Sequence, residues 1–139
     1  MKTFFFLLLL NLAVKSNAQS LEGEWNGYFT THNIFTNQDI KFNFIKKGDS
    51  TYFAFSTTIL IRNGYPDTVV CLLKGIFSKG KNLFLQETKI VKINTNYDET
   101  TYLQSMDLQF IKHKRKFELY GTWATQDGVY GEIYLFKKL

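Results

Sequence analysis

Cys71 is the residue best suited by type to nucleophilic chemistry, and its setting argues for a quieter role. A reactive thiolate needs a nearby base or a positive local field. Cys71 instead alternates with Val69 and Leu73, the pattern of a small hydrophobe on the buried side of a strand. His32 and His113 stand far apart with no second ligand at metal-binding spacing, so no zinc site is expected. Glu22, Glu24, Asp98, Glu99 and Asp127 fall mostly near turn signals. Paired carboxylates for acid–base work need a fixed separation in space, and these read instead as solvated turn residues. There is no Gly-x-Ser-x-Gly elbow, phosphate loop or His-Glu-x-x-His. The expectation is a protein without catalytic residues, bound metal or cofactor.

Charge adds one cluster, Lys112-His113-Lys114-Arg115-Lys116. It has the composition to grip an acidic polymer or a membrane surface, and equally that of a solvated hairpin tip. The formal charge of +5 falls to about +3 once Lys2 and Lys15 are set aside, too mild to imply a nucleic-acid partner.

Lys2 and Lys15 are set aside because residues 1–18 have the layout of a secretory signal peptide. Met1-Lys2-Thr3 is a short basic start, Phe4 to Val14 is apolar but for Asn11, and Ser16 and Ala18 supply small residues before a cleavage point at Gln19. The apolar run is too short to span a bilayer comfortably. The expected product is an exported, periplasmic or extracellular chain of about 121 residues, 19–139, forming one domain with no stable membrane insertion. Cys71 is the single cysteine, so no internal disulfide is available and burial must hold the fold together.

The elements that must position any site are strands. Helical periodicity is hard to find after the leader, and Pro66 is the only proline. Alternation and turn signals predict strands over Gly23–Thr31, Ile40–Lys47, Thr51–Arg62, Thr68–Ser78, Leu83–Ile93, Thr100–Lys112, Phe117–Thr125 and Val129–Lys138. Asn63-Gly64 and Asp127-Gly128 are strong hairpin signals because their residues tolerate positive φ. Short connections make each strand pair with the one before it. Eight such strands suit an all-β, antiparallel, up-and-down barrel, and sequential hairpins favour it over a two-sheet sandwich.

Period two then assigns faces. The predicted interior takes Leu21, Gly23, Trp25, Gly27 and Phe29 from the first strand and Ile40, Phe42 and Phe44 from the second. From the third it takes Phe53, Phe55, Ile59 and Ile61, and from the fourth Val69, Cys71, Leu73 and Phe77. Leu83, Leu85 and Val91 follow, then Tyr102, Met106, Leu108 and Phe110. Phe117, Leu119, Gly121 and Trp123 complete the set with Val129, Gly131, Ile133 and Leu135. Glycine at Gly23, Gly27, Gly121 and Gly131 fits sharp bends or close backbone approach.

Gly23-x-Trp25-x-Gly27 on the first strand of an eight-stranded meander resembles the calycins: lipocalins and the avidin-like and fatty-acid-binding barrels. It looks most like small lipocalin-like proteins of Bacteroidetes-type bacteria, whose mature chains often begin near Ala-Gln, as Ala18-Gln19 does here. The resemblance implies that Trp25 packs at the closed end of the barrel, under a basic residue from near the last strand, Lys137 or Lys138. The Thr-Asp-Tyr signature of the family is absent; Thr95-Asn96-Tyr97 is close in letters but falls one hairpin early. Neither a C-terminal helix after the last strand nor a helical lid is expected.

With aromatics at 17% of the chain, the aromatic-rich interior suggests a barrel that holds a small apolar molecule in its mouth. The candidate ligand-binding residues are Phe42, Phe53, Phe55, Tyr102 and Phe110, with Thr57 and Gln104 for polar contacts. Trp25 and Trp123 are assigned to barrel closure. The alternative is a filled barrel working through its outer surface, because Val70, Leu72, Tyr130, Tyr134 and Phe136 make some strands apolar on both faces. A homo-oligomer is open under either reading.

Overall fold

Residues 21–62, 64–93 and 103–139 are described by a computed structural model, in which alternation has become eight strands. They are β1 (Gly23–Thr31), β2 (Ile34–Lys46), β3 (Thr51–Arg62), β4 (Tyr65–Ser78), β5 (Asn82–Ile93), β6 (Gln104–Lys112), β7 (Lys116–Thr125) and β8 (Tyr130–Lys138). Each pairs antiparallel with its predecessor, and β1 pairs with β8, so the sheet closes into the expected up-and-down barrel. The main shift in bounds is at β2, which starts at Ile34 rather than Ile40. The leader assignment, 1–18, lies outside the described residues.

Turn chemistry fixes the connections. In Ser78-Lys79-Gly80-Lys81 both central residues have positive φ, 54° and 61°, and the Lys81 N–H donates to the Ser78 carbonyl at 3.1 Å. Two left-handed residues in a row match the twist of the flanking strands, the geometry of a type I′ hairpin.

Closure depends on two glycines in the β1–β8 seam. A Cβ on Gly27 would lie 1.8 Å from the Tyr134 carbonyl oxygen, and one on Gly131 would lie 1.7 Å from that of Thr30. Both obstacles are backbone, so only glycine lets the strands approach this closely.

The meander gives the barrel two unlike ends. Hairpins β2–β3, β4–β5 and β6–β7 share one end with Leu21 and Leu139, and the remaining hairpins occupy the other. The first end is plugged. Trp25 is fully buried, sets its ring edge-on to Phe44 and Phe110 at 6.2 and 6.4 Å, and donates its indole N–H to the Leu21 carbonyl at 2.8 Å. That bond ties the segment before β1 across the end, with Leu21 itself fully buried. Phe110 also meets Phe77 and Phe117, at 5.7 and 5.1 Å. Lys137 Nζ donates to the Glu22 carbonyl and lies against Gly23, beside the plug.

The interior pattern holds on most strands and fails on β3. Tyr52, Ala54 and Ser56 face the core, whereas Phe53 and Thr57 are half-buried and Phe55 and Ile59 exposed on the outer side. The reason is volume. Across the β2–β3 ladder Phe44 faces Ala54 and Phe42 faces Ser56, so small side chains stand opposite large ones. Two more phenylalanines would overfill that wall. Outside, Phe53 lies under the ammonium groups of Lys47 and Lys74, at 5.7 and 5.8 Å from its ring centre. Val91 is also exposed, because the β4–β5 register shifts between Leu72 and Leu73 and again between Val70 and Cys71, which breaks strict alternation along β5. Val129, just before β8, is exposed as well.

Candidate ligand site in the barrel lumen

Away from the plug the inner wall changes character. β3 supplies Ala54 and Ser56, and β4 supplies Cys71 and Val69, all small or medium and all buried. Ser56 stands directly opposite Cys71 across the β3–β4 ladder. β5 continues its inward series Leu83, Leu85 with Glu87, a carboxyl 7% exposed inside the barrel. Ser56 and Glu87 are the buried polar or charged side chains among the described residues. At the rim Trp123 sets its ring edge-on to Phe29 at 5.7 Å and donates its indole N–H to the Thr30 carbonyl at 2.8 Å.

Glu87 marks the point where one ladder stops. Among the described residues the β5–β6 pairing runs to Gln86↔Ser105, although β5 itself continues to Ile93. The first N–H of β6, on Gln104, donates to Glu87 Oε2 at 2.9 Å, so a side chain takes the acceptor role that a strand carbonyl would otherwise fill. The Gln86 amide closes the same gap, donating to the carbonyls of Glu87 at 3.1 Å and Gln104 at 3.2 Å.

Burial sets the electrostatics here. It raises the Glu87 pKa above its ordinary value, with the Gln104 N–H and the Cys71 thiol opposing. Burial likewise pushes the Cys71 thiol up to about 12, helped by the negative field and hydrogen bonding of Glu87 and opposed by a hydrogen bond with Ser56. Cys71 is therefore a protonated donor in a polar string, and its hydrogen-bonded neighbour Glu87 raises its pKa rather than lowering it.

The sequence candidates separate as follows. Phe42 lies in the lumen, stacked on Phe44 at 5.6 Å and paired across the sheets with Trp25 and Ser56. Gln104 is half-buried at the foot of the gap. Phe110 is inside but packs into the Trp25 plug, so it belongs to the closed end rather than the mouth. Phe53, Phe55 and Thr57 lie on the outer face, for the reason of volume given above. Tyr102 lies outside the described residues. Ser56 and Glu87 were not among the candidates. The in-phase series Leu83, Leu85, Glu87 was the available signal for the second; nothing local marked the first.

The remaining polar residues engage locally. Glu118 accepts from Lys116 Nζ at 2.5 Å and the Tyr134 hydroxyl at 2.6 Å, and lies 2.7 Å from His113 Nε2. Hydrogen bonds from Lys116 and Tyr134 hold its carboxyl down at about 2. Part of the basic cluster is thus paired within the protein. His32 stacks on Tyr130 at 4.6 Å, and Asp127 accepts from Thr125 Oγ1. Among the described residues no three His, Cys, Asp or Glu side chains are grouped to hold a metal ion.

No family model matches the chain, and no curated protein matches it. Solved structures do. A redesigned beta barrel, b11L5F_LGL, superposes with a TM-score of 0.55 at 14% identity, covering 86% of this chain and 92% of its own. A second redesigned beta barrel, mFAP1, bound to DFHBI, gives 0.57 at 14% identity, covering 84% and 94%. At this identity the likeness concerns the fold alone.

Proposed function

We propose that this chain is an exported, non-enzymatic barrel of the lipocalin-like (calycin) kind that takes a small apolar molecule into its lumen from the end opposite Trp25. One observation carries the reading: the barrel is plugged at the Trp25 end, whereas at the other, among the described residues, the β5–β6 ladder runs only to Gln86↔Ser105 with seven residues of β5 still to run. Pockets in barrels recur at such mouths, and an eight-stranded barrel that its side chains do not fill holds one small ligand. Trp25 under the segment before β1, held by Lys137, fits the family resemblance. Phe42, Val69 and Ile90 supply apolar lining, and Gln104 stands at the entrance.

The test uses the two tryptophans separately. In a Trp25→Phe variant only Trp123, at the rim, emits; in Trp123→Phe only Trp25, in the plug, emits. Titration with decanol is expected to shift the Trp123 emission and leave that of Trp25 unchanged. No change in either variant up to millimolar decanol would overturn the reading.

A second reading rests on the outer surface. A groove of about 640 Å³ crosses β4 to β7, where Ile76 and Phe84 stand 54% and 44% exposed beside Tyr120. Exposed apolar side chains around a concavity favour a contact surface for another macromolecule. Decanol shifts at Trp123 distinguish the two.

A further inference from the structure

We infer that the lumen recognises a protonated amine carried on an apolar body, with the Glu87 carboxyl as its counter-charge and Ser56 and Cys71 as neighbouring hydrogen-bonding groups. The inference deepens the lumen reading and rests on it.

A carboxyl inside an apolar barrel is costly, since burial of an ionised group is unfavourable unless it is paired and hydrogen-bonded. A purely structural role would ask little of it. The Gln104 N–H needs one acceptor, which a neutral amide oxygen at position 87 would supply equally well. A carboxylate offers about four acceptor sites on its two oxygens, and among the described residues the groups against it are neutral. These are the Cys71 thiol from β4, itself hydrogen-bonded to Ser56 of β3, and the Gln104 backbone from β6. Lys89 and Lys92, on its own strand, are exposed. Among the described residues no lysine, arginine or histidine is buried with it. The charge that would complete this site is positive, and the apolar lining from Val69, Ile90 and Phe42 suits a hydrocarbon portion.

The same arrangement selects against anionic ligands. A fatty carboxylate would enter a lumen with no buried cation among the described residues to receive it and with a carboxyl already in place. An ammonium group brings a positive charge to pair with the Glu87 carboxylate. The pair then sits in a low dielectric, where it is stronger than in water.

Calorimetry with three probes of one chain length tests this: decylamine, decanol and decanoate, on the wild-type protein and on Glu87→Gln. The expected result is decylamine binding tighter than decanol by about tenfold or more, the scale of one charge-assisted hydrogen bond, with decanoate weakest. Glu87→Gln, which keeps an acceptor for Gln104, is expected to erase the amine preference, so that decylamine and decanol bind it within about threefold of each other. Equal binding of amine and alcohol by the wild type, or a preference that survives in Glu87→Gln, overturns the inference and leaves the lumen reading standing. Binding of none of the three overturns both. The wild-type comparison needs no variant, so the outcome does not depend on Glu87→Gln folding.

Discussion

Trp25→Ala removes the plug, and the structure sets the size of the loss. The side chain is fully buried, and truncating such a residue costs about 3–5 kcal/mol through lost transfer energy and the cavity left behind. Two further consequences push toward the upper figure. The edge-on contacts to Phe44 and Phe110 disappear, and the Leu21 carbonyl loses its indole donor in a buried setting, which by itself costs about 1–3 kcal/mol. The expected loss is therefore about 5 kcal/mol, a large share of the roughly 5–15 kcal/mol that stabilises a typical domain. Trp25→Phe keeps a ring in the plug and loses mainly the N–H bond, for about 2 kcal/mol. Lys114→Ala, on an exposed hairpin tip, serves as the control at under about 0.5 kcal/mol. Urea denaturation followed by far-ultraviolet circular dichroism gives all three values without relying on tryptophan emission. Losses of similar size for Trp25→Ala and Lys114→Ala would refute the assignment of Trp25 as the element that seals the barrel.

Gly131→Ala places a methyl against the Thr30 carbonyl and should cost at least about 2 kcal/mol in the same melts, as overpacking against backbone; a neutral result would mean the β1–β8 seam is looser than described. Glu87 binds its proton more tightly folded than unfolded, so its contribution to stability falls as pH rises from about 4.5 through the raised folded value, and Glu87→Gln should remove that slope. Glu118 is the opposite case: its stabilisation is present above about 4.5 and is lost as pH falls toward about 2, and Glu118→Gln should flatten the acid limb. With its thiol pushed up to about 12 and its side chain buried, Cys71 should resist thiol reagents at mildly alkaline pH and react only when urea unfolds the chain; rapid labelling of the folded protein would contradict this.

The fold was legible because the punctuation and the alternation agreed. Asp127-Gly128 and the Gly23-Glu24-Trp25-Asn26-Gly27 run marked their elements without help from tertiary structure, and β1 and β3 begin and end where the pattern put them. Face assignment failed where hydrophobicity alone was asked to decide it. In Tyr52-Phe53-Ala54-Phe55-Ser56 the larger apolar residues point outward, because what faces inward is set by the volume left by Phe42 and Phe44 on the neighbouring strand. That is a pairing property, absent from the segment itself. Val91 failed for a related reason, since bulges shift phase without a residue that announces them. The site was least legible of all. Ser56 joins Cys71 and Glu87 only through the register of three strands, and the end of the β5–β6 ladder has no local signature.

The most direct test of lumen binding is a map of where an apolar ligand touches the protein. Amide and methyl chemical-shift changes on addition of decanol would supply it. Shifts concentrated at Phe42, Val69, Cys71, Glu87 and Trp123, with Leu83, Leu119 and the outer-face Ile76 and Phe84 unmoved, are the predicted result. Shifts confined to Ile76, Phe84 and Tyr120 would contradict it and move the function to the outer groove.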